Sequence, residues 1–177
     1  IVNGLGEPEQ WASLLPPALF QQLKERVDID FASTNATRYG GGDAVTLDLF
    51  TKNVTTLIVK VFEINTKNFY RTELREISTD INLDGLVANH EEVHKYTDSP
   101  LVRKARKFAF PQLNKPGIYI IDFIGNGRSS RALIHKGRLR QLVRTTAGGQ
   151  RFSIFDEQNQ PIKDASLWLA GHSYEAD

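Results

Sequence analysis

The run TLIVKVFEI at positions 56–64 decides the fold. Apart from Lys60 and Glu63 it is apolar on both alternating faces. A strand with one face in water would alternate apolar with polar residues, so this one belongs near the centre of a sheet. The run IYIIDFIGN at 118–126 has the same character and predicts a second central strand.

Outward from these two, the period of two persists. Val27, Ile29 and Phe31 alternate with Asp28 and Asp30, and Val45, Leu47 and Leu49 alternate with Thr46 and Asp48. The stretches RYGGGD and TKNVT read as turns between strands. KARKFAFP at 104–111 places Phe108 and Phe110 on one face, and RALIHK at 131–136 returns the chain after a glycine-rich turn in GNGRSS. Short strands with a turn about every ten residues predict an all-β fold, an antiparallel β-sandwich over residues 28–144.

Two stretches depart from that pattern. Residues 1–27 read as an N-terminal helical linker. Ser13, Pro16 and Pro17 suit a helix start, and Leu15, Leu19 and Leu23 recur every four residues, which predicts an amphipathic helix over about 17–26. Residues 65–100 read as a helical or irregular insert. NTKNFYRTELREIST suits a short helix, and Gly85, Asn89 and Ser99-Pro100 punctuate the remainder of the insert.

After TTAGG at 145–149 a fresh pattern begins. QRFSIFDEQNQPIKDASLWLAG predicts a strand, a turn on Asp156–Pro161 and a second strand with Ala165, Leu167 and Leu169 inward. A two-stranded hairpin does not stand alone. Either it packs on the first domain or it opens another, and residues 145–177 are expected to open a second domain.

Composition narrows the chemistry. The 177 residues contain no cysteine, which removes disulfides, thiolate metal sites and cysteine nucleophiles. They contain no methionine either, so Ile1 is read as the start of an excised or processed piece. The apolar runs are too short to span a bilayer and no signal peptide is visible. A formal charge of +1 does not by itself suggest nucleic acid as a partner.

Two metal motifs overlap in DINLDGLVANHEEVH at 80–94. Asp80, Asn82, Asp84, the carbonyl of Leu86 and Glu91 follow the calcium loop pattern, with Gly85 at its sharp turn. That pattern needs a helix on each side, and Pro100 cuts the exiting segment short. The plainer expectation is a loop with Ile81, Leu83 and Leu86 turned inward and the acids in water. His90, Glu91 and His94 follow the zinc protease pattern H-E-x-x-H, which needs both histidines one turn apart on a helix and a third ligand. The extended form of that motif needs glycine and histidine where Thr97 and Pro100 stand.

GNGRSS mimics a dinucleotide fingerprint but has Ser130 for the third glycine and leads into a strand instead of a helix. Basic residues gather at 103–107 and at Arg128, Arg131, Lys136, Arg138, Arg140 and Arg144, where charged outer faces of strands are the expected reading. Asn35-Ala36-Thr37 and Asn53-Val54-Thr55 are glycosylation sequons. No serine, histidine and acid group into a triad, and no catalytic residue is expected.

YGGGDAVTLDLFTKNVTTLIVKVFEINTKNF resembles the first strands of a macroglobulin-type domain of bacterial α2-macroglobulin-like proteins. RKFAFPQLNKPGIYIIDFIGNGRSSRALIHKGRL resembles its second half, and FSIFDEQNQPIKDASLWLAG the opening of the next immunoglobulin-like domain, so the sandwich would be an immunoglobulin-like one. The resemblance covers about 28–170. It implies an extracellular or periplasmic multidomain protein in which this domain is a non-catalytic scaffold, part of a protease-trapping assembly. Its partners would be neighbouring domains of the same chain, or proteases and other proteins, with neither nucleic acid nor membrane insertion. No thioester can lie in a chain without cysteine. Two alternatives stand beside this reading. One is a calcium-stabilised surface or adhesion module using Asp80, Asn82, Asp84 and Glu91. The other is a zinc hydrolase acting through His90, Glu91 and His94.

Overall fold

The computed structural model describes residues 10, 12 and 14–176; the reading of Ser13 and of residues 1–9 lies outside them. Two sheets form its centre. One has three strands in the order β1 (Asp28–Phe31), β3 (Thr46–Lys52) and β6 (Arg103–Ala109). The other has five, in the order β2 (Arg38–Tyr39), β8 (Arg128–Lys136), β7 (Gly117–Gly125), β4 (Thr56–Ile64) and β5 (His90–Lys95). All pairings in these two sheets are antiparallel except the two-residue β2–β8 contact.

Strand alternation explains the core between the sheets. Leu57, Val59 and Val61 of β4 face Leu47 and Leu49 of β3, with Ile121 and Phe123 of β7 beside them, all of them buried. Phe123 is the hub. Its ring meets those of Phe31, Phe108 and Phe110 edge-on, with centroids 5.6, 5.2 and 6.3 Å away. Full burial of such a ring contributes about 1.5–3 kcal/mol, with a further ~1 kcal/mol for well-placed aromatic pairs.

The opposite face of the five-stranded sheet is covered too. Helix α2 (Thr66–Glu73) and the loop to residue 89 lay Ile77, Ile81 and Leu83 over Phe62, Ile64 and Ile120, with Phe69 and Tyr70 at the margin. This third layer is why β4 and β7 are apolar on both faces. The helix starts where Asn65 Oδ1 accepts from the Asn68 N–H at 3.1 Å, and ends at Leu74, which takes a left-handed conformation with φ 52°.

The N-terminal helix α1 (Pro17–Glu25) begins with Pro17 at its first position, as the two prolines predict. Its leucine stripe does not enter a core, however. No residue of the helix is buried, and Leu19 is 52% exposed. The helix is latched at its C-terminal end by polar groups. The ammonium of Lys52, a residue only 5% exposed, donates to the carbonyls of Leu23 and Arg26, and Asn53 Nδ2 donates to those of Lys24 and Glu25. The last carbonyls of a helix lack intrahelical donors and carry its negative pole, so a cation and an amide satisfy both needs.

Two sequence expectations fail in the second half. The region 80–100, expected to be irregular, contains the strand β5, and the break expected at 145–149 lies inside a hairpin that turns at residues 147–148. Strand β9 (Arg140–Thr146) pairs with β10 (Gly149–Phe155) across it. The expected turn at Asp156–Pro161 is present, held by Asp156 Oδ1 accepting from the N–H groups of Gln158 and Gln160, but it closes on a single bridge from Phe155 to Pro161. β11 (Ser166–Leu169) pairs instead with β12 (His172–Glu175), and Leu169 is 48% exposed. No helix among the described residues is long and apolar enough to cross a membrane.

Candidate functional site

The stretch 80–95 carries the two metal motifs, and its local structure separates their residues. Residues 90–95 are the edge strand β5, so the helix required by both patterns is absent there. On a strand, alternate residues share a face. His90, Glu92 and His94 therefore lie together, opposite Val61, Val59 and Leu57. The two imidazole Nε2 atoms stand 2.8 and 3.3 Å from the Glu92 carboxylate. Glu91 faces the other way and pairs with Lys60 at 3.4 Å. The geometry of H-E-x-x-H is thus replaced by a carboxylate between two histidines, with His94 packed edge-on against Phe108.

The calcium pattern is dispersed in the same way. The Asp80 carboxylate accepts from the Ser78 hydroxyl and lies 3.5 Å from Arg75. The hydroxyl first and the guanidinium second hold the Asp80 carboxyl below its ordinary pKa. Asn82 Oδ1 accepts from the Asp84 N–H at 2.8 Å, closing a local turn. Gly85 does take the left-handed conformation the sharp turn needs, with φ 80°. Among the described residues no three His, Asp or Glu side chains are grouped to hold a metal ion. Ile81 and Leu83 are buried as expected, whereas Leu86 is exposed.

What holds this loop is Arg131. Its guanidinium reaches from β8, donating to the carbonyl of Ile81 at 2.9 Å and to Asp122 on β7 at 3.3 Å. Asp122 is buried and also accepts from Ser129 Oγ at 2.5 Å. In the sequence Arg131 is one of a basic group, since nothing local marks its partner fifty residues upstream.

The basic strand β6 forms an edge of the three-stranded sheet. Arg103 pairs with Asp30 at 2.8 Å and lies over the Phe50 ring; Arg106 pairs with Asp98 and lies 3.7 Å from the centre of the Tyr96 ring. Lys104 and Lys107 are exposed and make no ion pair among the described residues. The two sequons are used by the fold itself. Asn35 Nδ2 donates to the Asp48 carbonyl at 2.7 Å, and Asn53 holds α1. GNGRSS is a hairpin turn with Asn126 and Gly127 at φ 44° and 74°, the conformation of a two-residue connection.

On the far side of the molecule a cleft of about 930 Å³ opens between α2 and the β11–β12 hairpin. Lys67, Arg71 and Arg75 line one wall and Trp168 the other. The sequence holds a trace of it, two cations one helical turn apart, but the second wall comes from about a hundred residues downstream.

Comparison with known proteins places this architecture. Residues 57–137 match the family model described as the AbpF first immunoglobulin-like domain. The domain is immunoglobulin-like. Over 180 residues the chain is 42% identical to actin-binding protein F of Dictyostelium discoideum, covering 100% of this chain and 8% of that protein. The immunoglobulin-like domain described here thus sits in a chain that spans about a twelfth of the relative's length. Native α2-macroglobulin from Escherichia coli, in a structure spanning domains MG0-NIE-MG1, superimposes with a TM-score of 0.48 and 14% identity, over 86% of this chain and 58% of that one. At that score the likeness is one of coarse shape alone. The bacterial α2-macroglobulin-like parent expected from the sequence differs from what this relative is: the 42% identical protein is an actin-binding protein of Dictyostelium.

Proposed function

We propose that this chain is a non-catalytic immunoglobulin-like module of a larger actin-binding protein, and that it contributes a surface to actin binding. The observation that carries the reading is the 42% identity, over the whole chain, to a protein named for binding actin. The basic edge strand β6 is the surface we assign to the contact. Its arginines are tied down by Asp30 and Asp98, which leaves Lys104 and Lys107, on opposite faces of this edge strand, to meet an acidic partner laid along the edge. We place the end of the module near Gly137, where the family match stops and the chain passes into the exposed strand β9.

Cosedimentation with actin filaments tests the proposal. The wild-type chain should pellet with filaments at low salt and be released as salt rises. Lys104→Glu/Lys107→Glu should lose at least tenfold in affinity with an unchanged thermal midpoint. Failure of the wild-type chain to pellet at any salt would remove actin as a partner of this module.

A further inference from the structure

The cleft between α2 and the β11–β12 hairpin has the chemistry of a peptide site. Lys67 and Arg71 are exposed and one helical turn apart on α2, a rise of about 6 Å. Neither makes an ion pair among the described residues; Arg71 donates only to Ser173 Oγ on the facing hairpin, at 3.2 Å. Arg75, the third cation, is shared with Glu73 at 3.7 Å and Asp80 at 3.5 Å. Two unneutralised cations therefore face a wall that carries half-buried Trp168 and the hydroxyls of Ser166 and Ser173. Leu74 lines the same cleft, 72% exposed, at the left-handed position that ends the helix.

We infer that this cleft binds an extended acidic peptide segment carrying one aromatic or large aliphatic residue. The step of about 6 Å between Lys67 and Arg71 is close to the ~6.6 Å that separates alternate residues of an extended chain, so two acids at alternate positions reach both cations. Trp168 and Leu74 supply an apolar surface that a bare anion would leave unused, and desolvated contacts of that kind carry most of the energy of peptide docking. Serine hydroxyls on the hairpin match the backbone groups of such a segment. A nucleic acid strand is disfavoured by Glu76, which lines the same cleft. The site lies on the layer opposite β6, so it does not depend on the actin reading.

The experiment is fluorescence anisotropy with the whole chain and a labelled short peptide bearing Asp at alternate positions and one central Phe. Binding should weaken at least tenfold in Lys67→Glu/Arg71→Glu and several-fold in Trp168→Ala. It should be unchanged in Lys95→Glu/Arg128→Glu, which alters net charge equally at exposed positions elsewhere. If the glutamate pair perturbs folding by circular dichroism, Lys67→Gln/Arg71→Gln should still weaken binding several-fold. The inference is overturned if the wild-type chain does not bind, or if the control pair weakens binding as much. Equal affinity for single-stranded DNA, or for the same peptide with Phe replaced by Ala, also overturns it.

Discussion

Arg131 shows how much one side chain can organise. It bridges a buried carboxylate on β7 to the backbone of the covering loop. Removing one partner of a buried pair leaves the other charge desolvated, which costs about 3–5 kcal/mol. Arg131→Ala should therefore lower stability by that order in urea denaturation. Asp122→Ala/Arg131→Ala should cost less than the two single changes added together, since no orphan charge remains. Gly125 makes a different demand. A Cβ there would stand 2.6 Å from Val54 Cγ1 and 3.0 Å from the Thr56 carbonyl oxygen. Gly125→Ala should destabilise by about 1–3 kcal/mol through overpacking. The thermal midpoint is the check, and a variant as stable as wild type would mean the turn relaxes freely. The glycine-rich turn in GNGRSS is legible in the sequence, but only the three-dimensional contact separates the glycine needed for space from the one needed for its φ.

Among the elements, α1 is the one whose attachment the sequence concealed. A leucine at every fourth position suggests an apolar seam, yet the observed attachment is Lys52 and Asn53 reaching the helix carbonyls. Burial holds the Lys52 ammonium below its ordinary pKa, with Asp28 opposing the shift. Lys52→Met keeps the buried stem and removes the donor. It should cost about 1–2 kcal/mol, in line with a lost helix-end interaction in a partly buried setting. Proteolysis near Arg26 should accelerate before the sandwich melts, and equal protection in both proteins would sink the latch. β5 was missed for a related reason. HEEVHK has no apolar alternation because an edge strand has one neighbour and faces water, and charge on such a strand also discourages pairing with other chains. The central strands were legible because burial on both faces leaves a continuous apolar run, which no loop or surface helix imitates.

At the scale of the molecule, the two-sheet core and its helical cover were legible in the periodicity, whereas long-range polar contacts and the pairing of the C-terminal hairpins were not. β9 is exposed along its whole length, so its composition carries no sign of its partner. Global stability should also respond to acid through His135. Burial foremost, then Arg38 nearby, push its imidazole below the usual pKa of 6.5, with Glu76 opposing. Above 6.5 the ring is neutral in both folded and unfolded chains and contributes no pH dependence. As pH falls through 6.5 the unfolded chain binds the proton first, so stability drops toward the lowered folded value. His135→Gln should flatten that part of the stability profile, measured by chemical denaturation between about pH 7.5 and about 5; an unchanged slope would assign the loss to other groups.

The way the strands of the C-terminal hairpins are joined has a mechanical consequence. Arg140 and Phe155 lie side by side at the open end of β9–β10, and Ser166 and Glu175 do the same in β11–β12. Tension along the chain would peel each hairpin one hydrogen-bonded pair at a time, while the sandwich behind it stays loaded across whole strands. A single chain stretched from its two ends should lengthen first in small, low-force steps and only then rupture at the sandwich. The two hairpins would act as a compliant spring in series with a stiff block.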